Sequence, residues 1–174
     1  MIAMASTWPP LPREILADER GSALVARLGR DVVPLWRDGT VAVPAIPFGP
    51  AVADALAGAY AQGDAVLGLE AAATALDRDA KGEEVADLRA GRARPPRVSR
   101  LLLLASDGAE RFYRHAERLT RRHATRLLTC RLGVPAAALG RAVLGRPAPV
   151  KAVLLRRKDA VTRALRAIAG DEGG

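Results

Sequence analysis

The chain has 174 residues, 49% of them hydrophobic, with one cysteine and a formal net charge of +8. This length supplies one good core and excludes two full domains, while the lone Cys130 excludes an internal disulfide framework and the lack of CxxC or Cys/His spacing excludes a zinc signature. The charge is lopsided: residues 98–174 carry sixteen basic and six acidic side chains and the rest is near balance, so the C-terminal half offers a face for a polyanion, RNA or DNA before anionic lipid, although an Ala-, Leu- and Arg-rich composition also follows from genomic base bias.

In chain order, MIAMASTWPPLPREIL lacks a basic segment followed by an apolar core, and the longest aliphatic block, Leu101 to Ala105, is too short to span a bilayer. A soluble, cytoplasmic protein without membrane contact is expected. REILADERGSALVARLGR predicts a short helix, and DVVPLWRDGTVAVPAI predicts two short strands joined by a tight turn at Asp38-Gly39. Pro34 and Pro44 confine those strands to edges or strand ends. IPFGP is a natural boundary, so residues 1–50 are expected to form an N-terminal hairpin extension and residues 51–174 the main domain. Helices are predicted over Ala51 to Gly63 and over Leu69 to Leu76. The charged stretch 77–97, DRDAKGEEVADLRAGRARPPR, has few apolar residues and predicts a partly disordered or loosely docked insertion.

Beyond it the pattern is regular. RLLLLAS, TRLLTCRL and KAVLLRR are apolar runs suited to buried strands, alternating with the helix GAERFYRHAERLTRRH and a helix from Pro135 to Leu144 closed by Gly145. Asp159 is placed to cap a last helix that puts Val161, Ala164, Leu165 and Ile168 on one face, with Gly170 beyond its end. Alternating strands and helices predict a three-layer α/β/α sandwich around a small central mixed sheet.

On the helix after RLLLLAS, Arg111, Arg114, Arg118 and Arg121 form one stripe at i, i+3, i+7 and i+10, with Phe112, Ala116 and Leu119 toward the sheet. Arg122 and Arg126 extend that cluster, and Arg156, Arg157 and Lys158 form a second. Guanidinium forks suit phosphate. Glu110 and Glu117, each four residues before an arginine, equally describe an ordinary solvated face. Tyr113 stands beside the stripe, either to stack one base or as a half-buried tyrosine; aromatics are too scarce for an extended stacking platform. His115 and His123 have no cysteine or carboxylate cluster at ligand spacing, and no GxxxxGK[ST], GxSxG or HExxH motif occurs. Ser106-Asp107 is the ordinary start of a helix, and Cys130 is a packing residue. No catalysis, cofactor or metal is expected.

The segments ALAGAYAQGDAVLGLEAAATAL, RLLLLASDGAE and ALGRAVLGRPAPVKAVLL bring a family into view. From Ala51 to Ala169 the chain resembles the kink-turn-binding ribosomal protein superfamily of the L-seven-Ae type, and within it the bacterial YlxQ-like members. The resemblance implies RNA binding through the start of the second helix and through the loop before the Leu-Gly-x-Ala helix. At the first piece Gly68 matches, and unpaired backbone N–H groups there suit phosphate. Glu70 keeps a polar side chain, while Leu69, Ala71 and Thr74 replace polar and lysine positions of the family. At the second piece Arg131 is placed to reach phosphate and Leu132 and Val134 to pack on an extruded base, or else the loop turns inward to complete the core; Arg141 lies near the same edge. Together these residues predict a non-enzymatic RNA-binding protein, its partner a structured or ribosomal RNA and the ribosome or transcription–translation machinery its setting. The alternative is a protein–protein adaptor that keeps the sandwich without RNA readout.

Overall fold

A computed structural model describes residues 8–171. Its strands are β1 (Val32–Pro34), β2 (Ala42–Ile46), β3 (Ala65–Leu67), β4 (Arg100–Leu104), β5 (Leu127–Leu132) and β6 (Ala152–Leu155). They join in one six-stranded mixed sheet of order β1-β2-β5-β4-β6-β3. β5 lies parallel to both β2 and β4, and β6 is antiparallel to both β4 and β3. Four strands, β2, β5, β4 and β3, therefore end at the same edge of the sheet, at Ile46, Leu132, Leu104 and Leu67. That edge carries the candidate site, in keeping with the general placement of ligands beyond the carboxyl ends of α/β strands.

Period-two alternation divides the strand side chains between two cores. Leu101, Leu103, Leu128, Cys130, Leu132, Val153 and Leu155 face one layer, made of α1 (Arg13–Ala17), α2 (Gly21–Arg30), α3 (Pro50–Ala61), α6 (Ala136–Leu144) and α7 (Lys158–Gly170). Leu102, Leu104, Leu127, Ala152 and Leu154 face the other, made of α4 (Leu69–Ala90) and α5 (Glu110–Arg122). The architecture is the expected three-layer α/β/α sandwich. In α7 the face bearing Val161, Ala164, Leu165 and Ile168 is buried as its spacing predicts.

The expected N-terminal hairpin is present, β1 pairing antiparallel with β2 through Val32↔Pro44, Val33↔Val43 and Pro34↔Ala42, and it is continuous with the main sheet. Seven residues, 35–41, separate β1 from β2, with Gly39 N–H closing a turn on the Trp36 carbonyl. β2 then pairs with β5 through Ala45↔Arg131 and Ile46↔Leu132, and Leu24 and Leu28 of α2 enter the same core as α7. Pro44 pairs with Val32 of the edge strand β1 and precedes Ala45, the first residue in register with β5. Residues 1–7 of the expected extension and 172–174 of the expected main domain lie outside the described residues.

The stretch 77–97 also differs from expectation, because α4 runs on through residues 77–90. Its carboxylates meet basic side chains of the sheet: Asp79 accepts from Arg100 Nε at 3.0 Å and from Arg156 Nη2 at 2.7 Å, and Glu83 accepts from Arg126 Nε at 3.1 Å. Burial works against the charged form of Asp79, yet those two arginines hold its pKa below the ordinary aspartate value. Past Gly91 the connection is pinned by Arg97 donating to the Leu11 carbonyl and Val98 N–H to the Pro10 carbonyl. Charge density looked like a solvated loop because the partners arrive from distant sequence.

Smaller differences have similar causes. The helix expected from Arg13 to Arg30 divides into α1 and α2, with Asp18 accepting from Arg20 N–H between them. Strand β3, three residues at the sheet edge, carries too short a pattern to recognise. Arg157, not Asp159, occupies the N-cap position of α7, and Gly170 is its last residue. Asp171 then turns back to accept from Ala51 and Val52 N–H, at 3.0 and 2.8 Å, supplying from 120 residues away the cap that the start of α3 lacks locally. Asp171→Ala is expected to cost about 1–2 kcal/mol, as for loss of an N-cap side chain, seen as a lower urea midpoint at unchanged m-value.

Candidate nucleic-acid interface

At the site edge, β3 passes through Gly68 into α4. Gly68 adopts φ 92°, ψ 147°, a backbone conformation that side chains resist, and a Cβ placed on it would meet nothing within 4 Å. Its N–H donates to the Ala152 carbonyl at 2.9 Å, which ties the start of α4 to β6. Among the described residues no acceptor meets the N–H groups of Leu69, Glu70 and Ala71, the usual orphans of a first helical turn. Leu69 turns into the core and the Thr74 hydroxyl donates back to the Glu70 carbonyl. Their departure from a polar motif is thus filled by packing and by a local hydrogen bond.

Facing Gly68 across an open groove of about 880 Å³ is the outer flank of α5. Burial of Tyr113, Ala116, Leu119 and Thr120 orients that helix, so Arg111, His115 and Arg118, at i, i+4 and i+7, line the groove together. Phe112 forms part of the same wall, and Lys151, just before β6, closes the far side. Arg111, Arg118 and Lys151 are exposed and make no ion pair with any described residue. Among the described residues Glu70 is the sole acidic residue lining the groove. Arg141, in the last turn of α6, is exposed near this edge but does not line the groove.

The arginine stripe therefore divides. Arg111 and Arg118 face the groove, whereas Arg114 pairs with Glu110 and lies over the Trp36 ring at 4.6 Å, and Arg121 stands 4.0 Å from Glu117. Glu117 is not on a solvated face: only 6% exposed, it accepts from Trp36 Nε1 at 2.8 Å, Thr40 N–H at 2.7 Å and Val41 N–H at 2.8 Å. The extensions of the stripe are committed elsewhere. Arg122 pairs with Asp77 and Arg126 with Glu83, while Arg156, Arg157 and Lys158 pair with Asp79, Asp64 and Glu14.

The expectations for Arg131 and Asp107 are corrected, while Leu132, Val134 and Tyr113 take the inward-facing alternative named for them. Arg131 donates to the Ser106 carbonyl at 2.9 Å and lies 4.8 Å over the Tyr113 ring, an internal role that removes it from the groove. Leu132 and Val134, at 0% and 6% exposure, belong to the core beneath α3 and α6, since β5 is covered on both faces. Tyr113 is buried, its hydroxyl donating to the Ala105 carbonyl and accepting from Gly108 N–H at 3.1 Å. Asp107 does not start α5; it accepts from Ala136 N–H at 2.8 Å and caps α6. Burial pushes the Cys130 thiol far up, which keeps it inert, and His123 packs inside against Asp77 at 3.2 Å.

Sequence reasoning passed over Lys151, placed Phe112 only toward the sheet and weighed His115 only as a metal ligand, whereas all three line the groove. The spacing of His115 between Arg111 and Arg118 was available as a signal; Lys151 had none, because only strand pairing carries it to the groove. Among the described residues no helix is long and apolar enough to cross a membrane. Comparison with protein-family models finds no match, and comparison with curated proteins finds none either.

Proposed function

We propose that this protein is a non-enzymatic RNA-binding protein, ribosome- or structured-RNA-associated, that takes the sugar–phosphate backbone into the groove between Gly68 and α5. The observation that carries this reading is the convergence of Arg111, Arg118 and Lys151, which pair with no described carboxylate, on a groove that among the described residues has one carboxylate and an unobstructed glycine backbone. Fixed cations and free N–H groups suit phosphate, and glycine lets a chain approach closely. The likeness of Ala51 to Ala169 to the kink-turn-binding superfamily points the same way, although Arg131, Leu132 and Val134 have no part in the site proposed here.

In filter binding, affinity for a structured RNA is expected to fall steeply with salt. Replacing Arg111, Arg118 and Lys151 together by alanine is expected to reduce the slope of log K against log salt by about 2–3, roughly one unit per lost phosphate contact. Arg114→Ala combined with Arg121→Ala should leave the slope nearly unchanged. Salt-independent binding, or equal slopes in all three proteins, would reject the reading. Exposed Val85 and Leu88 on the distal half of α4, at 50% and 76%, favour the rival adaptor reading. Nuclease-free preparations free of nucleic acid, with a protein co-eluting on sizing, would support the adaptor.

A further inference from the structure

We infer that the groove selects an unpaired nucleotide of an RNA strand and stacks its base on Phe112 and His115, a specificity that rests on the reading above and deepens it. The groove holds two aromatic rings between its cations. Phe112 and His115 are one turn apart on α5, and both line the groove with Arg111 and Arg118. Phe112 is set rigidly, edge-on to the buried Tyr113 ring at 5.1 Å and 76°, and close against Gly108, where an added Cβ would lie 2.6 Å from its ring. Its ring is only partly buried.

Arg111 and Arg118 are seven residues apart, about 10 Å along the helix axis. A base lying between them is bracketed by the charges that hold its flanking phosphates. In a paired A-form helix the bases are stacked on one another and present edges in the grooves, so their faces are not available to a ring inside a concave wall. An unpaired nucleotide offers both the phosphate and the open face. The scarcity of other exposed aromatics limits the site to one or two bases.

The test uses the full chain and three ligands: a labelled single strand of about eight nucleotides, the same strand annealed to its complement, and a free mononucleotide as competitor. The single strand is expected to bind at least about tenfold more tightly than the duplex, and the mononucleotide to compete only weakly. Phe112→Leu is expected to weaken single-strand binding roughly tenfold, within the range seen for loss of one base–aromatic stack, with an unchanged salt slope. The fluorescence of a 2-aminopurine in the strand should be quenched by the wild type and less so by this variant. His115→Ala, at a position as partly buried as Phe112 but outside its packing against Tyr113 and Gly108, provides a second variant, expected to weaken the single strand about fivefold.

Equal affinity for duplex and single strand, or full retention of affinity and quenching in both variants, would overturn the inference while leaving salt-dependent RNA binding in place. A mononucleotide competing as well as the strand would overturn it in favour of a free nucleotide. Absence of salt-dependent binding by the wild type to any of the RNAs would remove both the inference and the reading beneath it.

Discussion

Gly140→Ala is expected to destabilise the protein by about 3 kcal/mol, the upper part of the range for overpacking, although alanine normally stabilises a helix interior relative to glycine by about 1 kcal/mol. Gly140 sits within α6, and the chain leaving that helix folds back over it. A Cβ there would overlap the Ala148 carbonyl and lie 3.1 Å from Val150 N, both backbone atoms. Neither can rotate away as a side chain would. Val150 N–H is itself donated to the Ala136 carbonyl at 3.0 Å, so the returning segment is fixed at its far end. Gly82, inside α4 with nothing within 4 Å of an added Cβ, is the control; Gly82→Ala should stabilise by about 0.5–1 kcal/mol. Urea denaturation of the two variants is thus expected to move midpoints in opposite directions, and a stabilised Gly140→Ala would show that the loop is not held against α6. The displaced segment leads directly to Pro149 and Lys151, which line the groove. On the proposed reading, any folded Gly140→Ala protein should therefore also bind RNA less tightly. The glycine of the Leu-Gly-x-Ala helix is in this way explained by close backbone approach.

Glu117→Ala is expected to cost about 3 kcal/mol, since it strips the acceptor from three donors at once and each stranded buried group costs about 1–3 kcal/mol, not additively. The carboxylate fastens the 36–41 segment to α5, holding Trp36 Nε1 together with the Thr40 and Val41 N–H groups. Glu117→Gln should fall between, because an amide offers one oxygen acceptor and turns an N–H₂ toward a donor. Burial opposes ionisation of Glu117, but the hydrogen bonds from Trp36, Val41 and Thr40 outweigh it and hold its pKa below the ordinary glutamate value. The unfolded chain takes up this proton near pH 4.3. A depressed folded-state value means that the contribution is fully present above that pH and is lost as pH falls through the lower, folded-state pKa. The measurable sign is a wild-type stability that declines on acidification, with a shallower decline in Glu117→Gln between about pH 4.3 and the acid limit. Identical pH profiles would mean that the three donors do not depend on the charge.

The elements that could be read without coordinates are those whose pattern is local. RLLLLAS and TRLLTCRL are continuous apolar runs, and both faces of β4 and β5 are covered, so apolarity alone identifies them. The helix α5 shows its buried side in the spacing of Ala116 and Leu119. By contrast, α4 beyond Leu76 presents mostly charge, and the arginines that hold it against the sheet come from β4 and from the residues just before β5 and just after β6. Gly68 was identifiable as a special backbone position. That it opens onto a groove depended on where α5 and Lys151 came to lie.

By itself the sequence determined the alternation of strands and helices, the sandwich class and the concentration of positive charge in the C-terminal half, because burial periodicity and composition are written residue by residue. Tertiary structure decided which charges are free. Arg122, Arg126, Arg156 and Arg157 find carboxylates on α4 or at Asp64, and Arg131 turns inward, whereas Arg111, Arg118 and Lys151 keep theirs for the groove. The reason is that an arginine's partner is set by where distant segments return, as with Asp171 capping α3 across 120 residues, and no local pattern encodes that meeting.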